Sequence, residues 1–107
     1  MSALKLREGF WHSKYEPLLP KPVPNDKPWK GQRVLLEALS EKQSKLRMSR
    51  YKGSSKCRCC GITNGSGDYK LGAWVWPEGL AHYIKAHNVR PSLAFQEFIL
   101  GRQLGED

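Results

Sequence analysis

Two pairs of metal-ligating residues stand in this chain at a spacing that restricts its topology. Cys57-Arg58-Cys59-Cys60-Gly61 contains a C-x2-C pair, Cys57 and Cys60, followed by glycine. Farther on, Leu80-Ala81-His82-Tyr83-Ile84-Lys85-Ala86-His87 contains an H-x4-H pair. The C-x2-C spacing lets two thiolates reach one ion from a tight turn. Amides of that turn can bond to the sulfurs, and the glycine lets the backbone fold back. Two thiolates and two imidazoles complete a tetrahedral shell with no position left for substrate. Such a staple suits the chain's size. Its 107 residues make one domain, and its 39% hydrophobic content gives only a small core.

The helical part of the pattern sets a condition. Histidines five apart lie about 140° apart on an ideal helix, so one must come from a loosened last turn. Asn88, Val89 and Arg90 before Pro91 offer that loosening. The gap of 21 residues between Cys60 and His82 holds a turn, a strand or hairpin, and a helix start. In ligand order, C-x2-C-x21-H-x4-H resembles a C2H2-type zinc finger over residues 57–87. The resemblance implies one structural Zn2+ held by Cys57, Cys60, His82 and His87. The usual gap is about 12 residues, and the finger's phenylalanine and leucine spacing is not reproduced, so no base-reading helix surface carries over. Cys59 is left over. It is either a free thiol or an alternative ligand that displaces one histidine in a Cys3His shell.

Charge is the second constraint. The net charge of +8 is concentrated in residues 42–58, where Lys42, Lys45, Arg47, Arg50, Lys52, Lys56 and Arg58 stand without a single acid. A localised basic stretch is the footprint of a polyanion partner, DNA or RNA bound without sequence preference. The bland alternative is a solvated helix face and a linker.

The fold class expected is α+β: a small single domain of zinc-stapled β-hairpin plus helices, ββα or treble-clef-like. A Pro-rich extended arm over residues 1–30 precedes it. Pro17, Pro20, Pro22, Pro24 and Pro28 exclude helix there, while Phe10, Trp11, Tyr15, Leu18, Leu19, Val23 and Trp29 supply anchors for wrapping along the domain or a partner. The zinc-binding domain then takes residues 31–107. Val34, Leu35, Leu36, Ala38, Leu39, Leu46 and Met48 predict a first helix over about 31–49, ended by Gly53-Ser54-Ser55. A knuckle follows at 57–61 and strand structure within 62–76. Thr63 to Asp68 reads as a turn-rich connection, and Tyr69 to Trp76 as a strand with Trp74 and Trp76 on the face opposite Tyr69. Helices are expected at about 77–87, opened by Pro77, and about 91–100, opened by Pro91 and Ser92 and closed by Gly101.

Three functions compete. A zinc-binding, non-catalytic module would hold nucleic acid on the basic stretch. An adaptor would present the Pro/aromatic arm to a larger protein assembly. A metal-dependent nuclease would need an open coordination position and a general base; His12 has no evident acidic partner, and Asp68 with Glu78 makes no recognisable catalytic pair. No small-molecule substrate is indicated. The apolar runs reach about four residues against the roughly 20 that span a bilayer, so no membrane is expected. Charges near the start leave no apolar signal region, and three clustered cysteines make a poor disulfide framework. Together these point to a reducing cytoplasm and no secretion.

Overall fold

Apolar residues recurring on one helical face seed the first packed layer. Gln32–Ser44 forms helix α1, with Leu35 and Leu39 fully buried. The fold comes from a computed structural model that describes residues 6–13 and 16–104. α1 ends at Ser44, earlier than the expected 49. Lys45 and Leu46 turn the chain by bonding back to Lys42 and Gln43, and residues 49–56 are already extended. A short strand β1, Leu6–Arg7, precedes α1. After α1 come strands β2 (Ser49–Lys56), β3 (Thr63–Leu71) and β4 (Trp74–Pro77), then helices α2 (Leu80–His87) and α3 (Leu93–Leu100).

The strands form one mixed sheet in the order β1-β4-β3-β2. β1 runs parallel to β4, and the other neighbours are antiparallel. Among the described residues the chain is thus a small α+β domain with three helices on a mixed sheet.

The sheet departs from expectation in its two basic and glycine-rich strands. The second half of the basic stretch is edge strand β2 rather than helix and linker. Its pairing with β3 slips between Arg50 and Ser55, so residues on β2 bulge outward there. Thr63 to Asp68 is strand rather than turn, because its glycines admit close neighbours. A Cβ on Gly67 would collide with the Ser49 carbonyl and Met48, and one on Gly65 would press on Glu78 and Gly79. The reversal falls instead at Gly72-Ala73. It splits the expected single strand into a hairpin and puts Tyr69 opposite Trp76, on the same face. Their rings stack with centroids 6.0 Å apart.

The main core lies between this sheet and the helices. Leu35, Leu39, Trp74, Trp76, Leu80, Ile84, Phe95 and Ile99 form one buried cluster. Phe95 meets Trp74 and Trp76 edge-on at 5.2 and 5.4 Å, a geometry that suits aromatic quadrupoles. The Trp76 indole N–H donates to Gln43 Oε1 at 2.9 Å. Ser92 caps α3 by accepting from the Phe95 amide, and Gly101 closes it in the left-handed region at φ 72°.

The segment before α1 touches this body at separate points, through Glu8, His12 and Asn25. Glu8 accepts from the Ser92 amide and hydroxyl at 3.0 and 2.7 Å. The His12 carbonyl accepts from Arg58 Nε at 2.8 Å. Asn25 and Asn88 exchange side-chain donors for each other's carbonyls, both at 3.0 Å. Tyr15, an expected anchor, lies outside the described residues. No helix among the described residues is long and apolar enough to cross a membrane.

Candidate metal centre

The knuckle forms where β2 runs out. The Cys57 amide donates to the Ile62 carbonyl at 2.8 Å, and the Gly61 amide returns to the Cys57 carbonyl at 2.9 Å. Closing that turn needs Gly61 at φ 78°, a left-handed conformation costly to a residue with a Cβ. Inside the turn the Cys59 amide donates to Cys57 Sγ at 3.3 Å. That bond holds the sulfur toward the inside of the turn. Cys57 is buried, while Cys59 and Cys60 are exposed.

Helix α2 brings the imidazoles to this knuckle. The buried Tyr83 fixes the approach, since its hydroxyl accepts from the Arg58 amide at 2.8 Å. Trp11 packs edge-on against the other side of that ring at 6.0 Å. His82 Nε2 then lies 3.4 Å from Cys60 Sγ. His87 is the last helical residue, and its ring centroid is 5.2 Å from that of His82. The loosening expected after it occurs at Asn88, which adopts φ 55°; the Val89 amide bonds to the Tyr83 carbonyl.

The outcome is convergence. Ligand atoms of Cys57, Cys60, His82 and His87 all lie within 4.8 Å of one another and could hold a metal ion. Cys59 is outside that group. Two further observations fit an ion there. His87 Nε2 is buried with no hydrogen-bond partner, and a buried polar atom left unpaired is costly. Burial, and then the neighbouring His87, lower the pKa of His82 below the ordinary imidazole value. Both effects favour the neutral ring, which is the ligating form. Cys59 moves the other way, its thiol pushed up by burial and by Cys57.

A second layer of contacts, not anticipated from the sequence, braces His87. Buried Gln32 donates from Nε2 to the Ile84 carbonyl and to Asn88 Oδ1, both at 3.0 Å. The Asn25 amide donates to the carbonyl of His87 itself at 3.0 Å. A polar Gln32 on the face that otherwise buries Leu35 and Leu39 was the available signal.

The basic residues scatter over more than one element. Lys42 is on α1, and Lys45 follows it, pairing with Glu41 at 3.5 Å. Arg47 is exposed in the connection to β2. Arg50, Lys52 and Lys56 are on β2, and Arg50 reaches Ser66 Oγ at 3.4 Å. Arg58 is in the knuckle and bonds to the carbonyls of His12 and Lys56. Among the described residues Lys42, Arg47, Arg50, Lys56 and Arg58 have no carboxylate partner. Trp74, Trp76 and Tyr83 are buried and make core rather than a stacking surface. Comparison with protein-family models, curated proteins and solved structures finds no match to this chain.

Proposed function

We propose that this chain is a zinc-stapled, non-catalytic module that binds nucleic acid along the basic stretch of residues 42–58. In this reading residues 1–30 are an arm strapped to a zinc domain of residues 31–107, and a reducing cytoplasm keeps the three cysteines out of disulfides. The observation that carries it is the four-ligand convergence around a buried, unpartnered His87 nitrogen. Zinc suits the donor set: a tetrahedral shell with Zn–S of about 2.3 Å and Zn–N of about 2.0 Å has edges of roughly 3.3–3.8 Å. The Cys60–His82 separation of 3.4 Å is already such an edge. Four protein ligands fill that shell, which argues for a structural ion rather than a nuclease's open one.

The binding half of the proposal rests on Lys42, Arg47, Arg50, Lys56 and Arg58, which have no carboxylate partner among the described residues. Native mass spectrometry of the purified chain, paired with His82→Ala, tests the metal: one zinc per chain is expected, lost in the variant. Titration of DNA and RNA across salt concentrations tests the partner. Six phosphate contacts predict a log–log slope of roughly −4 to −5. Unchanged mobility of both nucleic acids at low salt, with folded protein, would sink the nucleic-acid reading.

One observation favours a second reading, the adaptor. Leu18 is 98% and Val23 70% exposed within the arm. Both are free to dock on another protein. Capture of a partner that survives Leu18→Ser with Val23→Ser unchanged would remove this reading.

A further inference from the structure

A cleft of about 300 Å³ opens between residues 7–13, with Glu16, and the β2–β3 hairpin. It is separate from the four-ligand group, and the basic stretch reaches it only at Lys56 and Arg58. Phe10, Trp11 and Tyr51 supply aromatic walls; Asn64 and Asp68 supply amide and carboxylate groups; Lys56 stands beside them. Trp11 carries an unmet demand. Its indole N–H is buried and has no acceptor among the described residues, although such donors are normally paired when buried.

We infer that this cleft takes one unstacked nucleotide, its base held among the aromatic side chains and its phosphate toward Lys56. The inference rests on the nucleic-acid reading and narrows it to strands with unpaired bases. The chemistry suits the walls. Every base has a π-face for Phe10, Trp11 or Tyr51. Base edges offer acceptors for the Asn64 amide and amino donors for Asp68. The volume is at the lower end of small-ligand sites, enough for one unit rather than a duplex. A base buried in a duplex stack cannot enter, so the cleft discriminates by strandedness. Stacking of one base is worth about 1–3 kcal/mol, which is roughly a five- to 150-fold preference for single strands.

The Trp11 indole N–H resonance reads the cleft directly. The full chain, as purified and labelled with 15N-tryptophan, is titrated with a single-stranded oligonucleotide, its duplex and a mononucleotide. Trp11→Phe assigns the signal. The single strand is expected to shift that resonance and to bind at least about tenfold tighter than the duplex; Trp11→Phe is expected to lose that preference. A shift with the mononucleotide alone supports the cleft with a free nucleotide as its ligand. Equal binding of strand and duplex with the Trp11 resonance unmoved overturns the cleft and leaves the basic stretch standing. No binding of any of the three overturns both.

Discussion

The two buried clusters of this domain are held together by different physics. The larger one packs eight buried side chains between α1, α2, α3 and β4, and every one is aliphatic or aromatic. Its cohesion is chiefly apolar area removed from water, with the Trp76 indole N–H satisfied by Gln43. The smaller one has Cys57, Tyr83 and Val89, with Trp11 against it. Here one of three buried groups is a thiol, and the two unpaired polar atoms nearby are Trp11 Nε1 and His87 Nε2. Such a corner combines a small apolar cluster with buried polar atoms that have no partner among the described residues. The contrast teaches that one small domain can set an ordinary apolar core beside a corner built around polar and metal-ligating side chains.

Removing the metal is the strongest way to break that contrast. Structural zinc in finger peptides has an apparent binding energy on the order of 10–16 kcal/mol, which is also folding energy. Chelation, or Cys57→Ser, is expected to expose amides of residues 57–62 and 82–89 to hydrogen exchange. Amides of α1 and α3 are expected to keep more protection. Uniform loss everywhere would show that the two clusters are one cooperative unit. Acid should act in the same direction. His82 has a lowered pKa in the fold, so the unfolded chain binds its proton more tightly. Stability is therefore present above the unfolded imidazole value of about 6.5 and is lost as pH falls below it. Thermal melts from pH 8 to pH 5 are expected to decline, and a flat profile would remove His82 as a group the fold holds neutral.

Leu35→Ala attacks the other side of the comparison. Leu35 is fully buried in the larger cluster. A leucine-to-alanine cavity typically costs 2–5 kcal/mol. Urea unfolding is expected to shift by that amount while metal stoichiometry in native protein stays unchanged. Loss of metal at the same time would show that the core positions the ligands more tightly than their separate clusters suggest.

Gln32→Leu probes the seam between the two regions. Gln32 reaches from α1 to Asn88 and the Ile84 carbonyl, next to His87. The substitution leaves buried acceptors unpaired, at about 1–3 kcal/mol. Metal affinity is expected to fall along with stability, unlike in Leu35→Ala. A competition assay with a chromophoric chelator measures the difference.

How much of this could be read in advance divides along the same line. The convergence of Cys57, Cys60, His82 and His87 was legible because thiols and imidazoles at such spacings are the residues a turn and a helix can bring to one point. The start of α3 was legible because Pro91 and Ser92 are local signals, and a cap is decided within one turn. β2 was not legible. Its residues, Ser-Arg-Tyr-Lys-Gly-Ser-Ser-Lys, lack the alternation that marks a half-buried strand, and as an edge it needs only one partner. β3 was misread for a related reason. Asn64, Gly65, Ser66 and Gly67 are turn formers locally, but tertiary contact with Met48, Ser49 and Glu78 overrides that preference. The Asn25–Asn88 exchange joins positions 63 apart, and no local rule connects them.

The smallest expected effect separates two roles of one basic residue. Lys45 lies beyond the end of α1 and pairs with Glu41 across exposed surface at 3.5 Å. Exposed i, i+4 pairs contribute about 0.3–0.5 kcal/mol, so Lys45→Ala should barely change a melting curve. If the basic stretch contacts phosphates, the same substitution removes one counterion-releasing contact. The salt slope of nucleic-acid binding is then expected to flatten by about 0.7 to 0.9. The two measurements therefore diverge if the positive charge serves a partner. If the slope is unchanged, Lys45 is a solvated helix-end residue whose charge serves the macrodipole and Glu41 alone. Arg47→Ala extends the comparison, because Arg47 is exposed and has no carboxylate partner among the described residues. Any loss of affinity there has no ion pair within the fold to account for it.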